Sequence, residues 1–230
     1  MTKVAIVSGA AGNLGQAVVK KFIGEGYKVI GTIMPDDPVE IEFIAPEFEA
    51  IPVNLIDEEN TAQFATSVIK KYGKIDVAVL TVGGFALGNI ADTKTVDIAR
   101  QYRLNFETTY NIAHPVFTQM LNQKNGRIFF IGSRPGLDSR NGKGMIAYSL
   151  TKSLLFRLAE VMNDEAHESN VITSVLVPGT IDTIQNRKNM PGVNPSDWVK
   201  AEQIANIIHF YCSESAAVIR EPVIKAYNNS

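Results

Sequence analysis

The sequence predicts a single-domain α/β fold in which a parallel sheet of about seven strands carries helices on both faces. Short apolar runs of strand length alternate along the chain with longer amphipathic stretches. The runs are rich in Val and Ile and contain few polar residues, which is typical of strands buried on both faces. Parallel strands joined by helices need right-handed crossovers, so these observations indicate a doubly wound sheet.

The apolar runs and the helical spacings place the elements along the chain. Strands are predicted at residues 4–7, 27–33, 50–53, 75–81, 127–131, 171–177 and 223–226. Helices are predicted at residues 14–25, 57–71, 95–121, 146–166 and 201–211. Asp57 is a suitable cap for the second helix. The stretch 95–121 is long enough to be two helices or one bent helix. Residues 180–198 are polar and irregular, and we expect them to form a substrate-binding loop.

Composition excludes several classes of protein. The 230 residues fit one domain over 1–230, and 22 basic against 24 acidic residues give a net charge of -2, which argues against a nucleic-acid partner. The single cysteine, Cys212, excludes an intramolecular disulfide, and three widely separated histidines give no reason to expect a metal site. No apolar run is long enough to span a membrane, and the first residues do not resemble a signal peptide. We therefore expect a cytoplasmic protein.

A glycine-rich turn lies between the first strand and the first helix. Residues 8–15 read Ser-Gly-Ala-Ala-Gly-Asn-Leu-Gly. Glycines at such a place allow a tight turn and close approach of a ligand, and the start of the helix offers unpaired N–H groups that suit a pyrophosphate. No Gly-Lys-Ser or Gly-Lys-Thr closes the turn, so it is not a P-loop. The turn predicts a dinucleotide site.

Ser133, Tyr148 and Lys152 form a candidate proton-transfer group. Tyr148 and Lys152 are four residues apart and share one face of a predicted helix. A nearby ammonium lowers the pKa of a tyrosine, which can then exchange a proton with a carbonyl oxygen while hydride arrives from a nicotinamide. Ser133 can hold that oxygen in place. A hydrolase is not indicated, because Ser133 is not part of a Gly-x-Ser-x-Gly motif.

Together these motifs resemble the short-chain dehydrogenase/reductase family over essentially the whole chain. In residues 8–15 of this chain, Asn13 stands where the family has its middle glycine. The family's Asn-Asn-Ala-Gly segment is similar to Thr-Val-Gly-Gly at 81–84, its helix asparagine matches Asn105, and its Pro-Gly motif matches residues 178–180. The resemblance implies a Rossmann fold that binds NAD or NADP.

The resemblance also implies roles for individual residues. Ser133 would orient the substrate, Tyr148 would act as acid or base, and Lys152 would lower the pKa of Tyr148 and bind ribose. Asn105 would join a proton relay. The positions that the resemblance assigns to the cofactor are Gly9, Asn13, Leu14, Gly15, Thr32, Asn54, Leu55, Gly83, Gly84, Lys152, Pro178, Gly179, Ile181 and Thr183.

Three segments are similar to one branch of that family, dihydropteridine reductase. They are Val-Gly-Gly-Phe-Ala-Leu-Gly-Asn at 82–89, Gly-Met-Ile-Ala-Tyr at 144–148, and Asp-Thr-Ile-Gln-Asn-Arg-Lys-Asn-Met-Pro at 182–191. This likeness implies NADH and a quinonoid dihydropterin substrate. Ser133 departs from it, because that reductase typically has alanine there, and the serine favours an ordinary carbonyl or alcohol substrate.

The choice between NAD and NADP depends on the end of the second strand. An acidic residue there binds the ribose hydroxyls of NAD, whereas a basic residue accepts the 2′-phosphate of NADP. Ile33 occupies the expected acidic position, and neither Lys nor Arg follows it directly. Thr32 can hydrogen-bond a phosphate, and Asp36 or Asp37 can reach the ribose or repel a phosphate. The sequence favours NAD by a small margin.

Two questions stay open at this level. The first is whether the protein turns over, because a redox-sensing module that binds NAD(P) without catalysis would have the same fold. Retention of Ser133, Tyr148, Lys152 and Asn105 argues for catalysis. The second is the substrate, which is a carbonyl compound, a pterin-like ring or an unrelated ketone or alcohol. The resemblance also implies a homodimer or homotetramer.

Overall fold

The computed structural model describes residues 2–36 and 45–229 of the chain. Its seven strands form one parallel sheet in the order β3-β2-β1-β4-β5-β6-β7. The strands are β1 (Val4–Ser8), β2 (Lys28–Ile33), β3 (Phe48–Pro52), β4 (Val77–Leu80), β5 (Asn125–Ile131), β6 (Asn170–Pro178) and β7 (Val223–Ala226). The predicted doubly wound sheet is confirmed, and no strand boundary differs from its predicted position by more than two residues.

The helices cover both faces of this sheet. They are α1 (Asn13–Gly24), α2 (Glu58–Tyr72), α3 (Thr95–Tyr102), α4 (Thr108–Asn122), α5 (Arg134–Leu137), α6 (Ile146–Glu165), α7 (Ile184–Asn189) and α8 (Ala201–Tyr211). Asp57 caps α2 as predicted, because its side chain accepts a hydrogen bond from the N–H of Asn60 at 3.0 Å. None of the helices in the described ranges is long and apolar enough to cross a membrane.

The alternating direction of successive side chains along each strand divides the core into two layers. In β1, Val4 and Ile6 belong to the layer shared with α2, α4 and α6, whereas Ala5 and Val7 belong to the layer shared with α1 and α8. Successive side chains of a strand point to opposite faces, so an unbroken apolar run supplies both layers. All five residues of β1 are buried, as the sequence pattern requires.

The structure adds detail to two predicted segments: 95–121 is two helices, one of the two forms expected, and 180–198 is more regular than expected. The long stretch 95–121 is two helices joined by a π-helical turn at Arg103–Glu107, which contains the fully buried Asn105. The segment 180–198 is not irregular throughout. It contains α7 and a short turn of 3₁₀-helix at Pro195–Asp197. A β-bridge between Ile181 and Val199 joins the start of the segment to the residue just after its end. A helix of six residues is too short to produce a recognisable apolar period.

The strand order places a crevice at the carboxyl edge of the sheet. The chain leaves β1 toward β2 on one side, whereas β4 pairs with β1 on the other, so the order reverses between β1 and β4. Doubly wound sheets bind ligands at such a reversal. Thr81 fixes the two strand ends together, since its N–H donates to Oγ of Ser8 at 3.0 Å and its hydroxyl donates to the Ser8 carbonyl at 2.7 Å.

Candidate active site

A cavity of about 1440 Å³ runs along the carboxyl edge of the sheet. Its lining extends from the ends of β2 and β3, past the glycine-rich turn and β4, to α6, the end of β6 and α7. All fourteen positions predicted to bind the cofactor line it, as do Ser133 and Tyr148. Asn105 does not line it and lies behind Gly83 and Gly84. The fold therefore brings these predicted residues to one place.

The glycine-rich turn is packed so closely that its last glycine has no room for a side chain. A Cβ on Gly15 would lie 2.1 Å from the carbonyl oxygen of Gly9. No side chain in the described ranges caps the first turn of α1, whose N-cap is Gly12. The N–H groups at this helix start are thus directed to the cavity without a competing side-chain acceptor, and they fit a pyrophosphate. The lining accordingly fits an extended dinucleotide.

The adenosine end of the cavity contains few charges. Thr32 is buried, and its hydroxyl accepts a hydrogen bond from the N–H of Gly9 at 3.3 Å, so it supports the turn from below. Asn54 and Ile33 also line this end. Asp36 adopts a positive φ of 61° in the turn after β2. Asp37, the other acid considered for the ribose, lies outside the described residues.

Ser133 and Tyr148 are joined by a hydrogen bond. Ser133 follows β5 and caps α5, because its Oγ accepts from the N–H of Gly136 at 3.1 Å. Its hydroxyl also bonds that of Tyr148. Burial raises the pKa of Tyr148, and the Ser133 hydrogen bond opposes this effect. Lowering of the Tyr148 pKa by Lys152 stays a prediction.

Lys152 is buried next to these two residues on the inner side of α6. Its Nζ donates to the carbonyl of Ile131 at 2.8 Å, and burial lowers its pKa to about 8. A Cβ on Gly83 would lie 2.9 Å from this Nζ and 2.8 Å from Oδ1 of Asn105. A side chain at position 83 would therefore force the Lys152 ammonium and the Asn105 amide to shift away from this piece of backbone.

Asn105 clamps the segment that follows β4. Its Oδ1 accepts from the N–H of Gly84 at 2.9 Å, while its Nδ2 donates to the Gly84 carbonyl at 3.0 Å and to Oε1 of Gln101 at 2.8 Å. The π-helical turn places this polar side chain in the interior, where it satisfies two backbone groups. In this structure Asn105 supports the cavity wall, and its part in a proton relay stays a prediction.

Several lining residues were not identified from the sequence as part of the site. Phe85 lies edge-on to the Tyr148 ring, with centroids 5.1 Å apart, although 60% of its surface is exposed. Arg134, Met145 and the inner residues of α7 also line the cavity. Phe85 lies within the segment 82–89, whose likeness to one reductase was the available signal. His114 is exposed on α4 and stacks on Tyr110.

Comparisons with known proteins agree with this geometry. The family model described as short chain dehydrogenase matches residues 3–193. The acetoacetyl-CoA reductase of Acinetobacter sp. is 29% identical over 184 residues, which are 77% of this chain and 73% of that protein. The 3-oxoacyl-(acyl-carrier-protein) reductase FabG of Thermotoga maritima is 24% identical, and the match covers 96% of this chain and 95% of that protein.

Solved structures show the same fold. The structure described as ElxO with NADP bound has a TM-score of 0.89 at 22% identity, covering 98% of this chain and 97% of that one. A short-chain dehydrogenase/reductase from Serratia marcescens has a TM-score of 0.85 at 22% identity, covering 99% and 98%. Because the family model covers most of the chain and the cavity fits a dinucleotide, this protein belongs to the short-chain dehydrogenase/reductase family and is an NAD(P)-dependent oxidoreductase.

Proposed function

We propose that this enzyme reduces a carbonyl group to an alcohol, with Tyr148 as the proton donor. The proposal rests on one observation, the hydrogen-bonded Ser133–Tyr148 pair next to the buried Lys152 in a cavity that continues to the glycine-rich turn. The named relatives are reductases of acetoacetyl-CoA and of a 3-oxoacyl carrier protein. Both substrates contain an oxo group.

Each residue has a defined part in the proposed reaction. A bound nicotinamide supplies the hydride, which adds to the carbonyl carbon. Tyr148 donates its phenolic proton to the carbonyl oxygen, so one hydride and one proton turn C=O into CH–OH. Ser133 donates a hydrogen bond to the same oxygen and fixes its position. Lys152 stabilises the phenolate, which regains its proton from solvent.

The first test follows the decay of nicotinamide absorbance with purified protein and a panel of ketones, and separately with a quinonoid dihydropterin. We expect ketone-dependent decay that falls about 100-fold in Ser133→Ala, because a donor to the developing oxyanion is lost. Ser133→Thr keeps a hydroxyl and should retain part of the activity. With the pterin, Ser133→Ala should change the rate little. If wild type causes no absorbance decay with any ketone, carbonyl reduction is contradicted. Decay with the pterin alone would show that the enzyme reduces the pterin instead.

The cofactor proposed for this reaction is NADH. Residues 34–47, between β2 and β3, contain five acidic residues and no basic one. No cation in the described ranges lines the adenosine end of the cavity. A 2′-phosphate would therefore have no cationic partner among the described lining residues, and the acidic composition of this connection disfavours a further anion. We expect kcat/KM to be at least about tenfold higher with NADH than with NADPH, a difference near the 1.4 kcal/mol of a single unfavourable charge contact. Equal efficiencies would contradict the preference.

A homodimer or homotetramer is proposed on the resemblance and on one surface feature. Tyr102, Phe106, Tyr110 and His114 form a row of neighbouring aromatic rings along the end of α3, the π-helical turn and α4. Tyr102 and Tyr110 are exposed, as are Leu150 and Leu154 on α6. Exposed apolar patches of this kind are typical of subunit interfaces. Sedimentation velocity of the purified protein tests the assembly, and a monomer at micromolar concentration would contradict it.

A further inference from the structure

The short helix α7 presents two chemically different faces. Gln185, Asn186, Asn189 and Met190 line the main cavity, whereas Ile184 and Arg187 line a separate groove between α1 and α8. Positions 185, 186, 189 and 190 share one helical face because they are one, four and five residues apart. The cations Arg187 and Lys188 are not among the cavity lining. The α7 residues toward the cavity, Gln185, Asn186 and Asn189, are thus polar without being charged, and the apolar Met190 follows the helix.

Three contacts anchor α7, and they use neither Gln185 nor Asn189. Arg187 forms two hydrogen bonds with the carboxylate of Asp182, at 2.6 and 2.8 Å. The hydroxyl of Thr183 accepts from the N–H of Asn186 at 3.1 Å, and Nδ2 of Asn186 donates to the carbonyl of Ile181 at 2.8 Å. The helix is therefore held in place by other residues.

Gln185 and Asn189 bond to each other instead. Nε2 of Gln185 donates to Oδ1 of Asn189 at 2.9 Å, one helical turn away. In the part of the chain that the structure describes, Oε1 of Gln185 and Nδ2 of Asn189 have no hydrogen-bond partner, and both side chains are exposed. In this arrangement the pair offers one acceptor and one donor side by side.

Other residues that line the cavity have apolar side chains. They are Phe85, Leu87, Met145 and Met190, and Phe85 lies edge-on to the reacting Tyr148. No carboxylate of the described residues lines the cavity. The described residues contribute two cations to the lining: Lys152, which bonds a backbone carbonyl, and Arg134, whose guanidinium lies 3.8 Å from the centre of the Tyr227 ring. Apolar walls with a few placed polar groups are typical of sites for small uncharged ligands.

We propose that Gln185 and Asn189 determine substrate specificity by binding an amide edge of an uncharged ring carbonyl compound. Oε1 of Gln185 accepts the ring N–H, and Nδ2 of Asn189 donates to the neighbouring ring carbonyl. A cyclic amide, or lactam, displays an N–H and a C=O on the same side and so matches the pair. The flat ring packs against Phe85. This inference rests on the proposed carbonyl reduction and names the substrate class for it.

The test compares isatin, whose ketone adjoins the carbonyl of a lactam with a free N–H, with 1-methylisatin, in which that N–H is blocked. 5-Methylisatin controls for the added methyl group. We expect the wild-type kcat/KM, mostly through KM, to favour isatin over 1-methylisatin by about tenfold, since the methylated compound leaves a polar group of the site unpaired. Gln185→Met, which keeps the side-chain length, should reduce the ratio to about one. Lys188→Gln on the other face of α7 should preserve it.

The outcomes separate the two proposals. Equal turnover of isatin and 1-methylisatin by wild type, or an unchanged ratio in Gln185→Met, overturns the specificity inference and leaves carbonyl reduction standing. A tenfold preference for a linear 2-oxo acid over isatin also overturns it. If no ketone is reduced, carbonyl reduction fails. The inference is then decided by calorimetric binding of isatin and 1-methylisatin to Tyr148→Phe protein with NADH, where equal affinities or no binding of either overturns it.

Discussion

Tyr148→Phe is expected to lose at least about 100-fold in kcat while binding NADH normally. Phenylalanine keeps the ring that packs edge-on against Phe85 but removes the hydroxyl bonded to Ser133. Proton transfer by a positioned side chain contributes roughly 10² to 10⁴ in rate. Hydride addition without a proton donor would leave an alkoxide in the cavity. Steady-state turnover with a reducible ketone and fluorescence titration with NADH measure the two effects separately.

A matched control for this variant is Tyr211→Phe. Tyr211 ends α8 and packs on the layer of the core opposite to α6, away from the cavity lining. The Tyr211→Phe variant should keep wild-type turnover. Near-normal turnover in Tyr148→Phe would contradict the assignment of Tyr148 as the acid, and weakened NADH binding would show that the hydroxyl serves the cofactor instead.

Lys152→Met is expected to lose at least about 100-fold in kcat without losing stability at pH 7. The substitution removes the ammonium that we propose stabilises the phenolate, so activity should fall. In the folded protein, burial lowers the pKa of Lys152 to about 8, against about 10.4 in an unfolded chain. Keeping the charge in the interior therefore costs about 3 kcal/mol at neutral pH. The lost hydrogen bond to Ile131 offsets only about 1 kcal/mol of this.

The pH dependence of this stability difference has a definite sign. Between pH 8 and pH 10 the unfolded chain holds the Lys152 proton and the folded chain has released it, so wild type gains stability as pH rises. The advantage of Lys152→Met should therefore be largest at pH 7 and shrink toward pH 10. Urea unfolding of the apoprotein at several pH values measures it. A less stable variant at pH 7, or a difference independent of pH, would contradict the argument.

The exposed Lys143 supplies the control for the loss of a lysine. It lies in the loop before α6 and does not line the cavity. Lys143→Met should leave kcat, the free energy of unfolding and its pH dependence close to those of wild type. An equal effect from both substitutions would show that net charge, and not the burial of Lys152, is responsible.

Most of the fold follows from local signals in the sequence. The central strands were predictable because a strand buried on both faces needs an unbroken apolar run, as in β1. The start of α2 was predictable because an aspartate at an N-cap satisfies free N–H groups. α5 and α7 could not be predicted, since helices of four and six residues are too short to show a period and are stabilised by tertiary contacts.

Part of the candidate site was likewise predictable from the sequence, and part was not. The motifs around Gly15, Ser133 and Tyr148 are local in sequence, so their residue types and spacing indicated a dinucleotide turn and a proton-transfer group. The closeness of Asn105 to Gly83 and Lys152 depends on a π-helical turn that moves the Asn105 side chain into the interior. A π-helical turn cannot be predicted from residue spacing. Phe85 gave no chemical signal by itself, because its importance comes from its contact with Tyr148.

Local patterns in the sequence were enough to predict the doubly wound class, the glycine-rich turn and the candidate proton-transfer residues, because periodicity and short motifs are properties of neighbouring residues. The packed structure was needed to show that Ser133 bonds Tyr148 and that burial lowers the pKa of Lys152. It also decided that α7 turns Gln185 and Asn189 toward the cavity and its cations away. These properties depend on burial and on contacts between distant segments, and both arise only when the chain is packed.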